Sequence, residues 1–464
     1  MNTFAWTARD VTAALGLPHE PEDDRNFPRI STDTRTLQQG DLFVALRGVR
    51  FDAHELLSEA RSAGAAAAVV SRIPDEAPEG LEFFLVDDTL RALGGLAKYR
   101  RERARARVVG VVGSNGKTTT KDLLRAALSS RYRIHATQGN LNNQIGVPLT
   151  LLSAPLDAEV LVIEMGTNEP GEIAILSGIV RPDAVVVTSI GEEHLEKLGS
   201  LEGVLDEELS VLAGLSPQGV AFLAEEPEAL PRRAMGLLGA DGVRVAGLEA
   251  GADLRPDGGK EGIEVLPDGT TRWSWRGIEL RLPLPGRFNV RNALLALGVA
   301  TEWGVPPEEA VRGVEQVTSA KLRGEWHDIG NLRVLADCYN SNPPSVAAAV
   351  DLLAALPSGG RKVAVLGTMR EMGAASDTLH RRVAGDVAER LGKGIDIVVA
   401  TGAFVDAFAV VDPDEDPRII RCQDPVEAYG QLAGRLDGDE TILLKASRGE
   451  ALERWLPLLR REWE

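Results

Sequence analysis

The segment Val108-Val-Gly-Val-Val-Gly-Ser-Asn-Gly-Lys-Thr-Thr119 indicates how this chain folds. It begins with a nearly continuous β-branched run at residues 108–112, which is typical of a central strand in a parallel sheet. After Thr118, leucine or alanine returns at helical spacing at positions 123, 124, 127 and 128. A strand, a glycine-rich turn and a helix in this order predict a loop whose backbone N–H groups bind phosphate oxygens.

The turn has the residue types of a nucleotide-binding P-loop. Lys117 is expected to neutralise the β- and γ-phosphates of ATP, and the Thr118 hydroxyl is expected to hold Mg²⁺. The strict pattern has glycine at 111, where this chain has valine, so Gly110 and Gly113 would form the turn. The alternative is a fortuitous Gly-Lys-Thr in a tight strand–helix turn. The residues predicted to bind ATP here are Gly113, Ser114, Asn115, Gly116, Lys117, Thr118 and Thr119.

Two downstream side chains are candidates for sharing the metal ion. Glu164 ends an apolar strand expected at 159–164, and the carboxyl ends of parallel strands meet at the ligand-binding edge of a sheet. His194 follows a third apolar strand, expected at 183–189, and is a candidate second ligand. Either residue alone would be read as a solvated surface group. Next to a P-loop, the pair predicts a metal site.

Strands and helices alternate on both sides of this loop, which predicts a doubly wound α/β sheet. A strand at 41–46, a helix at 57–68 and a strand at 67–71 are expected before it, and a helix at 201–215 after it. The alternating segments Thr271–Trp275 and Ile278–Leu282 flank an Arg-Gly turn, which predicts antiparallel strands.

A second α/β alternation begins near residue 320. Its expected strands are 332–336, 363–366, 395–400 and 441–444, and its expected helices are 345–356 and 380–391. We therefore predict three α/β domains, at residues 1–100, 101–318 and 319–464. The central one is the P-loop doubly wound sheet, and the last is Rossmann-like.

Composition limits the classes of partner and compartment. The chain has 464 residues, 44% of them hydrophobic, and a net charge of −18, which disfavours nucleic acid as a partner. The basic stretch at 100–107 is either a nucleic-acid patch or, as we favour, a solvated helix end. Two cysteines are too few for a disulfide framework, and neither a membrane span nor a secretory signal is apparent. A cytoplasmic protein without membrane insertion is expected.

Dispersed segments resemble the Mur ligase family, in particular its D-alanyl-D-alanine-adding branch, the MurF type. The loop at 113–119 resembles the phosphate loop of the family, and Thr137-Gln-Gly-Asn-Leu-Asn-Asn-Gln-Ile-Gly-Val-Pro148 resembles its peptide-substrate segment. The remaining matches, in family order, are Asp33-Thr-Arg35, Gly40-Asp-Leu-Phe-Val-Ala-Leu46, Asp52-Ala-His54, Glu164-Met-Gly-Thr-Asn168, His194-Leu-Glu-Lys-Leu-Gly-Ser200, Asp337-Cys-Tyr-Asn-Ser-Asn-Pro343 and Val365-Leu-Gly-Thr-Met-Arg-Glu-Met-Gly373.

The resemblance implies an ATP-dependent ligase that forms ADP and phosphate in peptidoglycan precursor synthesis. Its substrates would be UDP-N-acetylmuramoyl-tripeptide and D-alanyl-D-alanine, joined through an acyl phosphate. The N-terminal domain would bind UDP, the central domain ATP, and a mobile C-terminal domain would close over the reaction. Two Mg²⁺ ions and a monomer are expected.

The resemblance also assigns roles to individual residues. The catalytic set would be Lys117, Glu164, His194 and Glu208, and the metal ligands Thr118, Glu164, His194 and Glu208. Further contacts to the nucleotide would come from Asn289, Arg323, Asp337 and Asn340. Contacts to the other substrates would come from Thr34, Arg35, Thr137, Asn140, Asn142, Asn143, Lys445, Ser447 and Arg448.

Glu208 is the most informative departure from the family pattern. The family usually has a carbamylated lysine fourteen positions after the histidine that corresponds to His194, and this chain has Glu208 there. Glutamate keeps the negative charge, but its arm is three atoms shorter, roughly 3–4 Å. One hypothesis is that Glu208 supports the second Mg²⁺, through water or because its helix lies closer. The other is that it is a solvated charge and that the second ion binds weakly.

Three smaller departures concern contact details. Phe288 stands where the family usually has histidine, Ser189 where it often has asparagine, and Thr368 where aspartate is common. Rival functions are another Mur-type amino-acid ligase, a folyl-polyglutamate ligase, a non-catalytic nucleotide-binding homologue and a generic P-loop ATPase. The chain lacks the Asp-Asn-Pro-Arg loop expected of a diamino-acid adder, and a folate ligase would lack the N-terminal domain.

Overall fold

The computed structural model describes residues 4–18, 25–48, 51–357 and 359–464. Residues 1–3, part of the segment examined for a secretory signal, lie outside the described residues. Within the described ranges, no helix combines the length and the apolar character needed to cross a bilayer.

The N-terminal unit is built on a four-stranded parallel sheet in the order β3-β4-β5-β6, with β1 and β2 forming a separate antiparallel pair. Its elements are β1 (Trp6–Thr7), α1 (Ala8–Leu15), β2 (Asn26–Phe27), β3 (Ile30–Ser31), β4 (Leu42–Val44), α2 (Leu57–Ser62), β5 (Ala67–Val70), β6 (Glu82–Leu85) and α3 (Thr89–Arg103). The buried faces of β4 and β5 pack against α1 and α3.

The helix expected at 57–68 is wrong in its second half. Helix α2 ends at Ser62, and Gly64 adopts φ of +107°, a left-handed conformation that an α-helix cannot continue through. Ala67 and Ala68 belong to the buried strand β5. Alanine has the highest helix propensity, but propensity is a weak guide, and burial between two parallel neighbours outweighs it here.

The central unit contains a six-stranded, wholly parallel sheet in the order β12-β11-β10-β7-β9-β8. Its elements are β7 (Arg107–Val112), α4 (Lys117–Leu128), β8 (Ile134–Ala136), α5 (Gly146–Leu152), β9 (Val160–Glu164), α6 (Glu172–Val180), β10 (Ala184–Val187), α7 (Leu195–Leu198), α8 (Leu201–Leu209), β11 (Val220–Ala224), α9 (Ala229–Leu238), β12 (Val243–Ala246), β13 (Glu264–Val265), β14 (Thr271–Trp275), β15 (Ile278–Leu282), α10 (Phe288–Glu302) and α11 (Pro307–Val314). One face of the sheet packs on α4 and α10 and the other on α6 and α8, which confirms the doubly wound arrangement. Strands β13, β14 and β15 form the expected antiparallel sheet.

The C-terminal unit has a second six-stranded sheet in the order β16-β17-β21-β18-β19-β20, parallel except for β16. Its elements are β16 (Glu325–Ile329), β17 (Leu332–Asp337), α12 (Pro343–Ala355), β18 (Lys362–Leu366), α13 (Ser376–Ala388), β19 (Ile397–Ala400), α14 (Ala403–Val411), β20 (Ile419–Arg421), α15 (Pro425–Ala433), β21 (Thr441–Lys445) and α16 (Trp455–Trp463). The mixed α/β class and its parallel sheets confirm the predicted fold class.

Several expected helix ends differ from the observed ones. Helix α12 begins two residues early because the Asn342 side chain accepts the Ser345 N–H at 3.1 Å and caps it. Helix α13 begins at Ser376, four residues before the expected start and ends at Ala388. The helix expected at 201–215 is α8 followed by a 3₁₀ turn, Ser210–Gly214.

The basic stretch at 100–107 is used for packing. Arg100 is buried and its guanidinium donates to the Ala154 carbonyl, while Arg101 pairs with Asp183 at 3.0 Å. Arg107 stacks over the Trp303 ring. Helix α3, which carries Arg100 and Arg101, packs against α1 and also against α5 and α6 of the central unit. It therefore runs through the domain boundary predicted at residue 100, while the boundaries themselves stay a prediction.

Candidate active site at the carboxyl edges of two sheets

The topology of the central sheet brings the sequence-predicted residues together. Strand β7 lies between β9 and β10, so the loop after β7, Glu164 at the end of β9, and the segment after β10 share one edge. In the C-terminal sheet, Asp337 and Lys445 are register partners at the ends of β17 and β21. These two edges face each other, because the Asn342 side chain donates to Asn115 Oδ1 at 3.1 Å.

The phosphate loop is held by Ser189, which follows the neighbouring strand β10. The backbone N–H of Asn115 donates to Ser189 Oγ at 2.8 Å, and that of Ser114 donates to the Ser189 carbonyl at 2.8 Å. Ser189, a departure from the family pattern, thus fixes the loop through its hydroxyl. Helix α4 begins at Lys117 directly after Gly116, which has φ of +86°. The loop therefore ends at a helix N-terminus, where backbone N–H groups favour anions.

Glu164 is held by residues that were predicted to bind two different ligands, the metal ion and the peptide substrate. Its Oε1 accepts the Thr118 hydroxyl at 3.3 Å and the Asn142 amide at 2.9 Å. Its backbone N–H donates to Thr137 Oγ1 at 3.0 Å. Its other oxygen, Oε2, is buried without a hydrogen-bond partner among the described residues. Thr137 and Asn142, expected to bind substrate, thus fix the carboxylate expected to bind metal.

Two further carboxylates lie beside Lys117. Glu208 is fully buried and its Oε2 accepts the Gly113 N–H at 2.8 Å, so it is not a solvated surface charge. Glu193, which the sequence analysis did not single out, is 3% exposed, and its Oε1 lies 3.9 Å from Lys117 Nζ. Glu193 follows the apolar strand as part of Gly-Glu-Glu-His, and that position next to His194 was the available signal.

These charges set one another's protonation. Burial alone would lower the pKa of Lys117, but Glu193, Glu208 and Glu164 raise it, so its ammonium is charged. Burial raises the pKa of Glu208 to about 7, with Lys117 opposing the shift and Glu193 adding to it. Burial also raises the pKa of Glu193, against the nearby charges of Lys117 and His194. The raised pKa values mean that burial opposes full ionisation of both carboxyl groups, and a bound cation would favour their ionised forms.

His194 joins the central and C-terminal units. Its Nδ1 lies 2.5 Å from Glu371 Oε2, and Nε2 lies 3.9 Å from Glu193 Oε2. The backbone N–H of Glu196 donates to the Glu371 carbonyl at 3.1 Å in the same contact. Glu371, in the segment after β18, was not among the residues predicted from sequence.

The donor set fits Mg²⁺ bound together with a phosphate ligand. No three His, Cys, Asp or Glu side chains converge as a ready-made metal site in the described part of the chain. Buried oxygens of Glu164, Glu193 and Glu208 nevertheless lack hydrogen-bond partners there. Mg²⁺ usually takes only one or two carboxylates and completes its shell with water and substrate phosphates. Oxygen donors beside a phosphate loop match that pattern.

The C-terminal edge carries the other predicted nucleotide residues. Lys445 is buried, pairs with Asp337 at 3.0 Å and donates to the Asn340 carbonyl at 2.8 Å. Arg323 stacks over the Tyr339 ring, with its guanidinium carbon 3.9 Å from the ring centroid. Lys445 is paired with Asp337 in this structure, and its assignment as a substrate contact stays a prediction.

Helix α10 carries Asn289, which is linked to the phosphate loop through Asn292. Asn289 is buried, donates to the Pro285 carbonyl and accepts the Asn292 amide at 2.9 Å. A Cβ on Gly116 would lie 2.7 Å from Asn292 Oδ1, which puts Asn292 against the end of the loop. Phe288, at the start of α10, has an exposed side chain that is available to a ligand.

The remaining predicted substrate residues are spread over three places. In the N-terminal unit, Thr34 is buried with its hydroxyl on Glu59, and Arg35 is exposed beside Asp33. Asn140 is exposed, and the Asn143 side chain accepts the N–H groups that open α5. In the loop after β21, Ser447 accepts the Arg370 N–H at 2.9 Å, and Arg448 pairs with Glu453. Thr368, which departs from the family pattern, donates to Glu450.

A cavity of about 570 Å³ lies away from this cluster and shares no residue with it. It is lined by Lys98, Arg101, Glu102, Gly178, Arg181, Asp183 and residues 213–217, at the amino edge of the central sheet. The chemistry-bearing groups instead lie where the carboxyl edges of the two sheets face each other.

Comparisons with known proteins match this arrangement. Residues 111–300 match the Mur ligase middle domain, and residues 322–448 match the Mur ligase glutamate ligase domain. A UDP-N-acetylmuramoyl-tripeptide–D-alanyl-D-alanine ligase from Bacillus subtilis is 37% identical over 91% of this chain and 91% of its own length.

Solved structures give the same result over nearly the whole length. A MurF structure from Acinetobacter baumannii has a TM-score of 0.87 at 31% identity, covering 99% of this chain and 100% of the other. MurF ligase from Thermotoga maritima, in complex with ADP, has a TM-score of 0.79 at 26% identity, covering 94% and 97%. The chain therefore belongs to the Mur ligase family, in its MurF branch.

Proposed function

We propose that this chain is an ATP-dependent ligase that joins D-alanyl-D-alanine to UDP-N-acetylmuramoyl-tripeptide in peptidoglycan precursor synthesis. The observation that carries the proposal is the convergence of the phosphate loop, Glu164 and His194 with the C-terminal edge at Asp337, in a chain whose relatives carry that name. ATP is the nucleotide consumed, and ADP and phosphate are products.

The reaction divides into two displacements. A carboxylate oxygen of the tripeptide attacks the γ-phosphorus of ATP, the bond to the β–γ bridging oxygen breaks, and ADP leaves. The amine of D-alanyl-D-alanine then attacks the acyl phosphate carbon, phosphate leaves with the electron pair of the C–O bond, and the amine loses a proton. Positioning and charge neutralisation dominate the rate of such phosphoryl transfers.

The phosphate loop and Lys117 serve the first displacement. The N–H groups at the start of α4 bind phosphate oxygens, and the charged ammonium of Lys117 faces the β- and γ-phosphates. In its present position Lys117 donates to the Gly113 carbonyl, a contact that it would exchange for a phosphate oxygen. Bound Mg²⁺ would supply additional positive charge for the transferred phosphoryl group.

Thr118 and Glu164 would hold one Mg²⁺, since the Thr118 hydroxyl and Glu164 already lie 3.3 Å apart. A second ion would lie near Glu164 and His194, with Glu208 as a further candidate ligand. Two ions and their ligands are part of the proposal.

The nucleotide would lie between the two facing edges. Asp337 is proposed to accept from the ribose hydroxyls, with Lys445 holding its carboxylate in place at 3.0 Å. Arg323 and Asn340 flank that position, and the exposed ring of Phe288 offers a stacking surface for the base. Asn289 acts by supporting Asn292 against the loop.

The remaining assignments are proposals of the same kind. Thr34 and Arg35 would contact the UDP moiety, and Asn140 and Asn143, with Thr137 and Asn142, the peptide. Ser447 and Arg448 would lie near the dipeptide. We further propose a cytoplasmic monomer, and both cysteines, Cys338 and Cys422, are buried and unpaired.

The test is phosphate release from ATP with UDP-muramoyl-tripeptide, with and without D-alanyl-D-alanine, followed by mass analysis of the product. We expect dipeptide-dependent phosphate release and one pentapeptide for each phosphate. Lys117→Met should abolish both signals, which excludes a contaminating ATPase. Release that another amine acceptor supports and D-alanyl-D-alanine does not would refute the assigned substrate.

A further inference from the structure

Three buried carboxylate oxygens near Lys117 have no hydrogen-bond partner within the described ranges: Glu164 Oε2, Glu193 Oε1 and Glu208 Oε1. An unpaired carboxylate oxygen removed from water costs free energy unless a cation or a donor reaches it. The unpaired oxygen of Glu164 would be a ligand of the first proposed ion, which Thr118 also holds. Glu193 and Glu208 remain, and their contacts differ.

Glu208 hydrogen-bonds to the backbone of the phosphate loop. Its Oε2 accepts the Gly113 N–H at 2.8 Å, which fixes the backbone at the turn between β7 and the phosphate loop. No ion pair within 4 Å joins Glu208 to Lys117 or His194 among the pairs found in the described part of the chain. Glu208 therefore contacts the loop backbone and not His194, although it lies close enough to Lys117 and Glu193 to influence their protonation.

Glu193 has the opposite set of contacts. Its Oε1 lies 3.9 Å from Lys117 Nζ and its Oε2 lies 3.9 Å from His194 Nε2. Both distances are too long for hydrogen bonds, and the 3.9 Å between Glu193 Oε2 and His194 Nε2 is close to the span of two metal–ligand bonds of about 2.0–2.1 Å each. Glu193 directly precedes His194 in the sequence, and the two side chains approach the same point.

We propose that Glu193 holds the second cation together with His194, and that Glu208 is a positioning residue that holds the phosphate loop through Gly113. This inference rests on the proposed function, because it presumes that two ions act at this site. The expectation that Glu208 itself supports the second ion stays a prediction, and the contacts above favour this different role. The shorter arm of Glu208 then needs no compensation, since a neighbouring carboxylate supplies the charge.

The two roles respond differently to glutamine. Glu193→Gln removes the charge that a cation needs while keeping the volume of the side chain. Glu208→Gln keeps an oxygen that can accept the Gly113 N–H, whereas Glu208→Ala removes it. Glu196→Gln is a matched control, since Glu196 is exposed, lies two residues beyond His194, and its side chain is not used in the proposed site.

The measurement is Mn²⁺ binding to the full chain with saturating ADP, followed by electron paramagnetic resonance, with ADP affinity in chelator measured separately. We expect two Mn²⁺ per wild-type chain and in the Glu196→Gln control. Glu193→Gln should lose one ion or bind it at least tenfold more weakly, with metal-free ADP affinity unchanged. Glu208→Gln should keep two ions, while Glu208→Ala should weaken metal-free ADP binding at least fivefold.

Three results would overturn the proposal: two tight ions in Glu193→Gln, loss of an ion in Glu208→Gln, or a single ion in the wild-type chain. Thermal melting of each variant separates these effects from unfolding. Because the readout uses ADP and Mn²⁺ alone, it is independent of the dipeptide. An enzyme that makes no pentapeptide would therefore refute the proposed function without mimicking any of these three results.

Discussion

Gly116 is the residue at which a single added carbon tests the geometry of the phosphate loop. It has φ of +86°, and a Cβ there would lie 2.7 Å from Asn292 Oδ1. The left-handed backbone costs a non-glycine residue about 1–2 kcal/mol, and the Asn292 side chain would also have to move. We expect Gly116→Ala to weaken ADP binding at least tenfold in a calorimetric titration.

Gly171 supplies the matched control for that substitution. It precedes α6 with φ of +88°, but nothing lies within 4 Å of its added Cβ. Gly171→Ala should carry the same backbone cost and leave ADP affinity within about twofold, since a strain of this size acts on stability. Equal losses in both variants would mean that the contact with Asn292 does not matter.

For single residues, the sequence predicted that the loop and Glu164 share one sheet edge, but it did not single out Glu193 or Glu371. Thr118 and Glu164 are recognisable because a P-loop requires both a hydroxyl and a carboxylate at one sheet edge. Glu193 is one of two adjacent glutamates in a polar segment, and such residues are usually solvated. Its burial depends on how the segment after β10 folds over Lys117, which no local pattern encodes.

At the scale of elements, the position of strand β21 is stabilised by hydrogen bonds in the turn at residues 437–440. Glu440 is fully buried and accepts the N–H groups of Asp437 and Gly438 at 2.8 and 2.9 Å, together with Arg361 at 2.8 Å. Hydrogen bonds to a charged group contribute about 1.5–3 kcal/mol. We expect Glu440→Gln to lower the free energy of unfolding of the C-terminal unit by about that amount at pH 7, measured by urea denaturation followed through tryptophan fluorescence.

The same contacts give this effect a pH dependence. Burial would raise the pKa of Glu440, but the hydrogen bonds from Asp437, Gly438 and Arg361 outweigh it and lower the pKa below its usual 4.5. A depressed folded-state pKa stabilises the protein above the unfolded-state value, and that contribution is lost as pH falls through the folded-state value. The difference between wild type and Glu440→Gln should therefore shrink below about pH 4.5. A constant difference down to pH 3 would contradict this account.

Elements with strong, long patterns were predictable, and short ones were not. The buried runs of β7, β9, β10 and β21 are continuous and apolar, so they were found. Strands β8 and β20 have three residues each, too few to show a period. The helix predicted at 57–68 ends early because Gly64 adopts a left-handed backbone conformation among the alanines that favour a helix.

For the whole molecule, the relation between the central and C-terminal units depends on a few contacts across the cleft. Arg382 pairs with Glu192 at 2.9 Å, beside the contacts of His194 with Glu371 and of Asn115 with Asn342. An exposed pair of this kind contributes about 0.2–1 kcal/mol, which corresponds to roughly 1.4- to 5-fold in an equilibrium. We expect Arg382→Gln to shift the chain toward a more open form and to lower kcat by a factor in that range.

Arg381→Gln is the control for closure, since Arg381 is the exposed neighbour on the same helix. Small-angle scattering should give a larger radius of gyration for Arg382→Gln than for either wild type or Arg381→Gln. High salt should remove the difference, because it screens the exposed pair. An unchanged radius together with unchanged kcat would show that this contact does not hold the two units together.

The sequence alone predicted three units but not how they meet. Helix α3 packs on both α1 and α6, so the first boundary falls within a continuous helix that local composition does not mark. The hydrogen bond between Asn115 and Asn342 joins residues that are far apart in sequence. Such contacts are set by packing of whole units, which no local sequence pattern encodes.

The central claim is that the tripeptide carboxylate becomes an acyl phosphate at this site before the dipeptide amine attacks. UDP-muramoyl-tripeptide labelled with ¹⁸O in both oxygens of its terminal carboxylate tests it directly. We predict that one ¹⁸O appears in the released phosphate and one remains in the new amide carbonyl of the pentapeptide. Pentapeptide formed with no ¹⁸O in the phosphate would contradict the account.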